Sequence, residues 1–425
     1  MLLRFTVANF ASVRDEQELS AIAADRHDDI AVRAVPRTQH HVLPALGIFG
    51  PNASGKSNIV DALAFARSAV VNSHQRWRPN DPIPRRPFQL DPVREKEPSE
   101  FGIEFVAEGI RYQYGFVCDS VEFHEEWLYG YPEGRQRRLF ERKRGTSIRF
   151  GQGLQGERKL IERLLRPNSL YLSAAAANGH AQLLPVYDWF AKHLRVAVEG
   201  NAHSRLQETR HLLEEHDAQA VLHLLRYADL GVGNVRFSDR KLQPEHAAKL
   251  ADLLSVIEGE KISPSEISMG VDVEVTHLVG DREFELPMEL ESSGTQTWLA
   301  LAGPVINALA TGDVLVVDEL DARLHHHLAS QLVRLFQEPE TNPNGAQLVF
   351  NSHDHSLLGH DTARLRRDQV WFTEKEDGAT RCFPLTDYKV RSVENVEKRY
   401  LSGRYGAVPF FDEELLSAIA VEVSC

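Results

Sequence analysis

The chain has 425 residues, 42% of them hydrophobic, which is more than one simple core needs and predicts two or three lobes. Its formal net charge of −13 excludes a body built as a general nucleic-acid glove and leaves room only for a local basic face. Three widely spaced cysteines, Cys118, Cys382 and Cys425, fit no metal or disulfide pattern, and neither a signal-peptide core nor an apolar run of membrane-spanning length is present, so a cytoplasmic protein without membrane contact is expected.

Leu3, Phe5 and Val7 alternate with Arg4, Thr6 and Ala8, the period of a strand, and a second strand is predicted around Glu18 to Ala23. The polar segment Asp25 to Pro44 reads as a loop whose His40-His41 pair is solvated. Ala45-Leu46-Gly47-Ile48-Phe49 then suits a buried strand, and Asn58 to Val71 carries Ile59, Leu63, Ala66 and Val70 at helical spacing. Between them Gly50-Pro51-Asn52-Ala53-Ser54-Gly55-Lys56-Ser57 fits G-x-x-x-x-G-K-[ST] at every fixed position. Strand, loop and helix make this a phosphate-binding loop for ATP or GTP. The loop Gly50, Pro51, Asn52, Ala53, Ser54 and Gly55 and the helix start at Lys56, Ser57 and Asn58 surround the phosphates with backbone N–H groups, all but Pro51 carrying one; Lys56 reaches the β- and γ-phosphates, and Ser57 binds Mg²⁺.

Six prolines between Trp77 and Pro98 predict an irregular connection. Phe101 to Val106, Tyr112 to Val117 and Val121 to Tyr131 read as antiparallel strands. They lead into Arg135 to Arg144, where six of ten positions are basic. Two readings stand for that run: a hairpin gripping DNA or RNA phosphates, and a solvated hairpin tip broken by Glu133 and Glu141. From Gln155 to Gly259 the apolar period turns helical, with stripes at Leu160, Ile161, Leu164 and Leu165, at Leu212 to Leu225, and at Ala248 to Ile257. No heptad run lasts long enough for a coiled-coil arm. Met269 to Glu285 returns to strand alternation.

Glu291-Ser292-Ser293-Gly294-Thr295-Gln296 precedes an apolar helix, Trp298 to Leu309. Val314-Leu315-Val316-Val317 then runs into Asp318 and Glu319, a buried strand with two acids at its carboxyl end. Asp318 suits a Mg²⁺ contact and Glu319 the general base that activates water. A further strand, Gln347 to Phe350, ends at Asn351-Ser352-His353, where a histidine can contact the γ-phosphate. His325-His326-His327, and the pair His353 and His355, lack the spacing and third ligand of a metal site.

In this order the phosphate loop, the Ser-Ser-Gly-Thr-Gln turn, Asp318-Glu319 and His353 resemble the ABC-class ATPase heads of the RecF, SMC and OLD group. The opening strand into Asn9-Phe10 and the Leu324-His325 pair are similar to the OLD-like branch. Glu397-Lys398-Arg399-Tyr400-Leu401 and Gly403-Arg404-Tyr405-Gly406-Ala407-Val408-Pro409 resemble the RloA and abortive-infection ATPases of phage defence. Thr295 departs from the second glycine of the usual ABC signature, and His325 stands where transporters carry an aspartate. The resemblance implies an α/β P-loop fold of ABC type, with an antiparallel β subdomain and an inserted helical lobe. The implied divisions are 1–90, 91–150, 151–265 and 266–425, the first and last forming the ATPase head. It implies ATP and Mg²⁺, a homodimer or larger oligomer in which Ser292, Ser293, Gly294 and Gln296 of one subunit close over the other's nucleotide, and a separate effector protein. It also makes Gln89 a sensor of Mg²⁺ and the attacking water, beside the plain reading of a solvated loop glutamine. The rivals are a RecF-like DNA-repair clamp, which needs a continuous basic surface, a nuclease, for which the stretch after His353 is short, and a simple P-loop kinase or GTPase, which leaves Ser293, Gly294 and His353 idle.

Overall fold

The computed structural model describes residues 1–24, 30–198, 202–216, 218–241, 249, 268–359, 362–389 and 395–408. The expected stripe from Ala248 to Ile257, Cys425 and both ends of the Arg391 to Pro409 stretch lie outside them. The chain divides into two compact units, one formed by Met1–Gly200 with Asn307–Cys425, the other by Asn201–Ile306.

The first unit holds strands β1 (Leu2–Ala8), β2 (Gln17–Ser20), β3 (Arg33–Ala34), β4 (His41–Val42) and β5 (Ala45–Phe49), then helix α1 (Lys56–Asn72). β6 (Ser99–Ala107), β7 (Ile110–Cys118), β8 (Phe123–Tyr131), β9 (Arg137–Lys143), β10 (Arg149–Phe150) and β11 (Leu194–Ala197) follow. The second unit contributes β12 (Val232–Lys241), β13 (Ser268–Val279) and β14 (Arg282–Pro287), and the first resumes with β15 (Val314–Val317), β16 (Gln347–Asn351), β17 (Val370–Glu376) and β18 (Ala379–Pro384).

Two sheets build the first unit. One has the order β11-β15-β16-β5-β17-β18, parallel except for the final hairpin, and its strands β15, β16 and β5 are wholly buried and, apart from Gln347 and Asn351 at the ends of β16, apolar, as strands covered on both faces must be. The other is antiparallel, with the order β10-β9-β8-β7-β6-β1-β2. Helix α1 buries Ile59, Val60, Leu63, Ala66 and Val70, while Phe65 packs its ring 5.0 Å from Phe101 of β6. Phe10, Phe101 and Phe116 complete that aromatic cluster.

Three expectations need correction. The antiparallel subdomain is not confined to 91–150, because β1 pairs with both β2 and β6 and so fuses the opening strands into that sheet. The stretch 151–265 holds the expected helices, Lys159–Leu164, Tyr171–Ala177, Leu184–Asp188, Ala202–His211 and Ala218–Tyr227, but it is divided between the two units and carries strands as well. Its first part belongs to the first unit and adds β11 to the parallel sheet, while its later part contains β12, which pairs with β13. β12 escaped detection because register shifts between Val232 and Asn234, and between Asp239 and Lys241, break its alternation. The Asp25 to Pro44 loop likewise holds the short ribbon β3–β4.

In the second unit, helices Ala202–His211 and Ala218–Tyr227 accompany the sheet β12-β13-β14 and helix Ser293–Thr311. Trp298 is buried and donates its indole N–H to the carbonyl of Leu224. The Thr209 hydroxyl enters the ladder of helix Ser293–Thr311, accepting from Gly303 N–H and donating to Leu299 O, both at 2.9 Å. This side-chain insertion stands one residue before Pro304, where the ladder loses a donor in any case.

Candidate nucleotide site

The phosphate loop follows β5 and ends at the first turn of α1. Gly50 has φ 155° and Gly55 φ 101°, and Ala53 adds a positive φ of 63°. A Cβ on Gly55 would lie 2.0 Å from the Thr380 hydroxyl and one on Gly50 2.4 Å from the Thr373 carbonyl, so both positions exclude other residues by close approach. Among the described residues, the backbone N–H groups of Asn52, Ala53 and Gly55 have no acceptor in the protein, and those at the start of α1 are free by the geometry of a helix. Such a concave set of unpartnered donors is what phosphate oxygens require.

Side chains far away in sequence fasten the loop from behind. Thr380 Oγ1 donates to Ser54 O (2.8 Å), which uses its only hydrogen, so Ser12 Oγ must donate to Thr380 (2.6 Å) and itself accepts from Asn58 Nδ2 (2.6 Å). Ser54 Oγ meets Thr373 Oγ1 at 2.7 Å. Asn58 and Ser54 therefore act on the loop's shape. This shell carried no sequence motif.

Lys56 is buried and donates to Gly50 O (2.8 Å) and Pro51 O (3.1 Å), with His353 Nδ1 at 3.3 Å. Burial pushes its ammonium down from the ordinary lysine value to about 8, against the opposing pull of Asp321, Glu319 and Asp318. The acids stand at the carboxyl end of β15, where Asp318 is half-buried and Glu319 exposed. Asn351, at the end of the neighbouring β16, donates from Nδ2 to Asp318 Oδ1 (2.5 Å) and to Ser57 Oγ (3.4 Å), while its Oδ1 accepts from Glu319 N–H. His353 N–H donates to both carboxylate oxygens of Asp321, at 3.2 and 3.3 Å. The structure thus gathers Lys56, Ser57, Asp318, Glu319 and His353, and adds Asn351 and Asp321, which sequence reasoning had not singled out. Asp321 could have been flagged as a third acid close behind a strand of four aliphatic residues.

The oxygen donors fit magnesium. Ser57 and Asp318 both lie within reach of one amide nitrogen and offer hard hydroxyl and carboxylate oxygens, and among the described residues no cluster of three His, Cys, Asp or Glu side chains would hold a metal by itself. That matches a cation shared with substrate phosphates. His325, His326 and His327 stack on one another at ring distances of 4.2 and 5.3 Å in solvent. Gln89 follows the buried Phe88. Asn9 fixes its neighbourhood by accepting from Phe88 N–H and donating to the carbonyls of Arg94, Glu97 and Pro98, and leaves the Gln89 side chain exposed.

The signature turn belongs to the second unit. Ser292 Oγ accepts from Thr295 N–H (3.1 Å) and so caps helix Ser293–Thr311, whose first residues Ser293 and Gly294 are exposed and half-buried. The Gln296 amide donates to the carbonyls of Met288 (2.9 Å) and Glu291 (3.0 Å), so its N–H groups shape the turn and are not free for a nucleotide. The basic run is paired with acids, among them the Glu133 and Glu141 that interrupt it in the sequence. Arg137, Arg138, Arg142, Lys143 and Arg144 face Glu133, Glu141, Glu126, Glu125 and Glu122, so the run lies along strand β9 in a ladder of opposite charges. Arg135 alone of the six has no acidic partner among the described residues.

A phosphate loop feeding α1, an acid-tipped strand separated from it by β16, and an attached antiparallel sheet define a P-loop NTPase head of ABC type. The chain belongs to the family described as "AAA domain, putative AbiEii toxin, Type IV TA system", whose model matches residues 46–359. Among solved structures it is similar to an Smc head bound to the C-winged helix domain of ScpA, with TM-score 0.43 and 14% identity over 94% of this chain and 99% of that one. A second similar structure is an Smc head with an extended coiled coil bound to the C-terminal domain of ScpA, derived from Pyrococcus furiosus, with TM-score 0.41 and 13% identity over 95% and 98% of the respective chains. A search of curated proteins gave no match. No helix among the described residues is long and apolar enough to cross a membrane.

Proposed function

We propose that the chain is an ATP-hydrolysing ABC-class switch that closes as a homodimer or larger oligomer around nucleotide and controls a separate effector, a nuclease or toxin, in anti-phage defence. The observation that carries the ATPase reading is the convergence of Lys56, Ser57, Asp318, Glu319 and His353 at the carboxyl ends of adjacent strands, facing the open donors of the phosphate loop. The defence role is supported by the family's description and by the Glu397 to Pro409 stretch that resembles the RloA and abortive-infection branch. In this reading Lys56 and the loop N–H groups hold the β- and γ-phosphates, and Ser57 and Asp318 hold the magnesium. When bound, that cation neutralises charge on the phosphate oxygens. Glu319 takes the proton of the attacking water, and His353 reports the γ-phosphate to its own loop. Ser293 and Gly294, at an exposed helix start, complete the nucleotide site of another copy.

Glu319→Gln tests the reading. The amide keeps the size of the carboxylate and cannot accept the proton, so ATP should bind, persist, and hold the closed assembly, with ATP favouring it only by its differential affinity for that state. Light scattering with Mg-ATP should report a doubled or larger mass for Glu319→Gln and the monomer mass once Ser293→Arg is added. A mass independent of ATP, unchanged by Ser293→Arg, would overturn the closure model.

A further inference from the structure

We infer that Asn351 is a positioning residue for ATP hydrolysis, holding the backbone of Glu319 and the carboxylate of Asp318 in one fixed arrangement. The inference rests on the ATPase reading above. Its geometry is unambiguous in one respect that amides usually leave open. The backbone N–H of Glu319 can only donate, so the Asn351 atom facing it must be Oδ1, and the nitrogen must be the atom facing Asp318 Oδ1 and Ser57 Oγ. Both hydrogens of the amide then have acceptors.

Glu319 has φ 52°, in the left-handed region that a residue with a side chain enters at a cost of about 1 kcal/mol or more. Something must hold it there. Asn351 does so twice over, because its Oδ1 takes the Glu319 N–H and its backbone oxygen takes the N–H of Leu320 at 3.0 Å. The turn that carries the proposed base is therefore pinned by one residue of the neighbouring strand. The register makes this possible, since Val317 of β15 pairs with Phe350 of β16 and sets Asp318 beside Asn351.

Asn351 is completely shielded from solvent, where an unpaired amide would be costly, and its polar atoms are spent on the elements of the nucleotide site and on no others among the described residues. A residue serving only the core would need no amide at the sheet's end.

The test separates positioning from general loosening. Asn351→Ala should lower single-turnover hydrolysis of bound ATP by about tenfold to a hundredfold, the loss expected when a reacting group drifts by about an ångström. The Kd of a fluorescent ATP analogue measured without magnesium should stay within about threefold, because the loop N–H groups and Lys56 do not depend on Asn351. The decisive measurement is the double variant. On a Glu319→Gln background the same substitution should cost clearly less than on the parent, since one of the two groups it positions is already disabled. Equal losses on both backgrounds, or a weakened Kd matching the lost rate, would overturn the inference. Should Asn351→Ala fail to fold, Asn351→Asp keeps the volume and the acceptor for Glu319 N–H but replaces the donor to Asp318, and a wild-type rate in that variant overturns it equally. If the parent protein itself turns over no ATP, the ATPase reading fails instead.

Discussion

Two charged regions of this chain look alike on paper and differ in the folded protein. Along β9 five cations each face a glutamate, and the deepest of them, Arg142, is matched to a fully buried Glu126 that also accepts from Tyr114 OH and from the N–H groups of Tyr171 and Leu172. At the phosphate loop Lys56 is equally removed from solvent yet forms no ion pair among the described residues; it rests on two carbonyls and a histidine, with three carboxylates near enough to be felt and too far to neutralise it. The first region spends its charges on itself. The second leaves one unspent, which is the condition for binding a polyanion.

The largest effect that would break this contrast belongs to Lys56. Lys56→Ala should lower ATP turnover on the order of a hundredfold or more while the melting temperature stays at the parent value, because the side chain serves phosphate oxygens. Phosphate release at the parent rate would leave the loop without its assigned role. Next comes Arg142→Leu, which strips the cation from a carboxylate with no exposure. A cost of about 3 kcal/mol is expected in urea unfolding, at the low end for a broken buried pair because three other donors still reach Glu126. A change below about 1 kcal/mol would mean that these donors alone carry the glutamate.

Titration sharpens the same comparison. Free Lys56 loses its proton near pH 8, and bound phosphates should keep it charged, so above that pH binding must take up a proton. Affinity for ATP should be level below about pH 7.5 and fall by up to about tenfold per pH unit above 8. An affinity unchanged to pH 9.5 would contradict the lowered ammonium. The smallest effects lie on the surface of β9, where Arg137→Ala and Lys143→Ala should each change stability by less than about 0.5 kcal/mol, since these pairs are exposed. A larger loss in either would show the ladder acting as a network.

Much of the head was legible because phosphate chemistry permits few substitutes. The glycines at 50 and 55, Lys56, Ser57 and the acids at 318 and 319 stand at fixed intervals from a strand or helix that periodicity reveals, and they lie together in the structure. Asn351 did not announce itself. A single asparagine at a strand end has no pattern, and its role arises from partners as far as 294 residues away in the chain. The basic run was legible in part, since Glu133 and Glu141 already interrupt it in the sequence, whereas Glu122, Glu125 and Glu126 come to it from β8 and the turn before it.

The strand that carries the phosphate loop has both sheet neighbours, β16 and β17, encoded about three hundred residues later, and the hydroxyl that props the loop at Ser54 belongs to Thr380. A ribosome adding roughly 5–20 residues per second needs about 15 to 60 seconds to bridge that interval. During synthesis the loop therefore exists as sequence well before it exists as a site. A nascent chain arrested before β16 should retain no nucleotide, so competence for ATP arrives only once β16, β17 and Thr380 have been made.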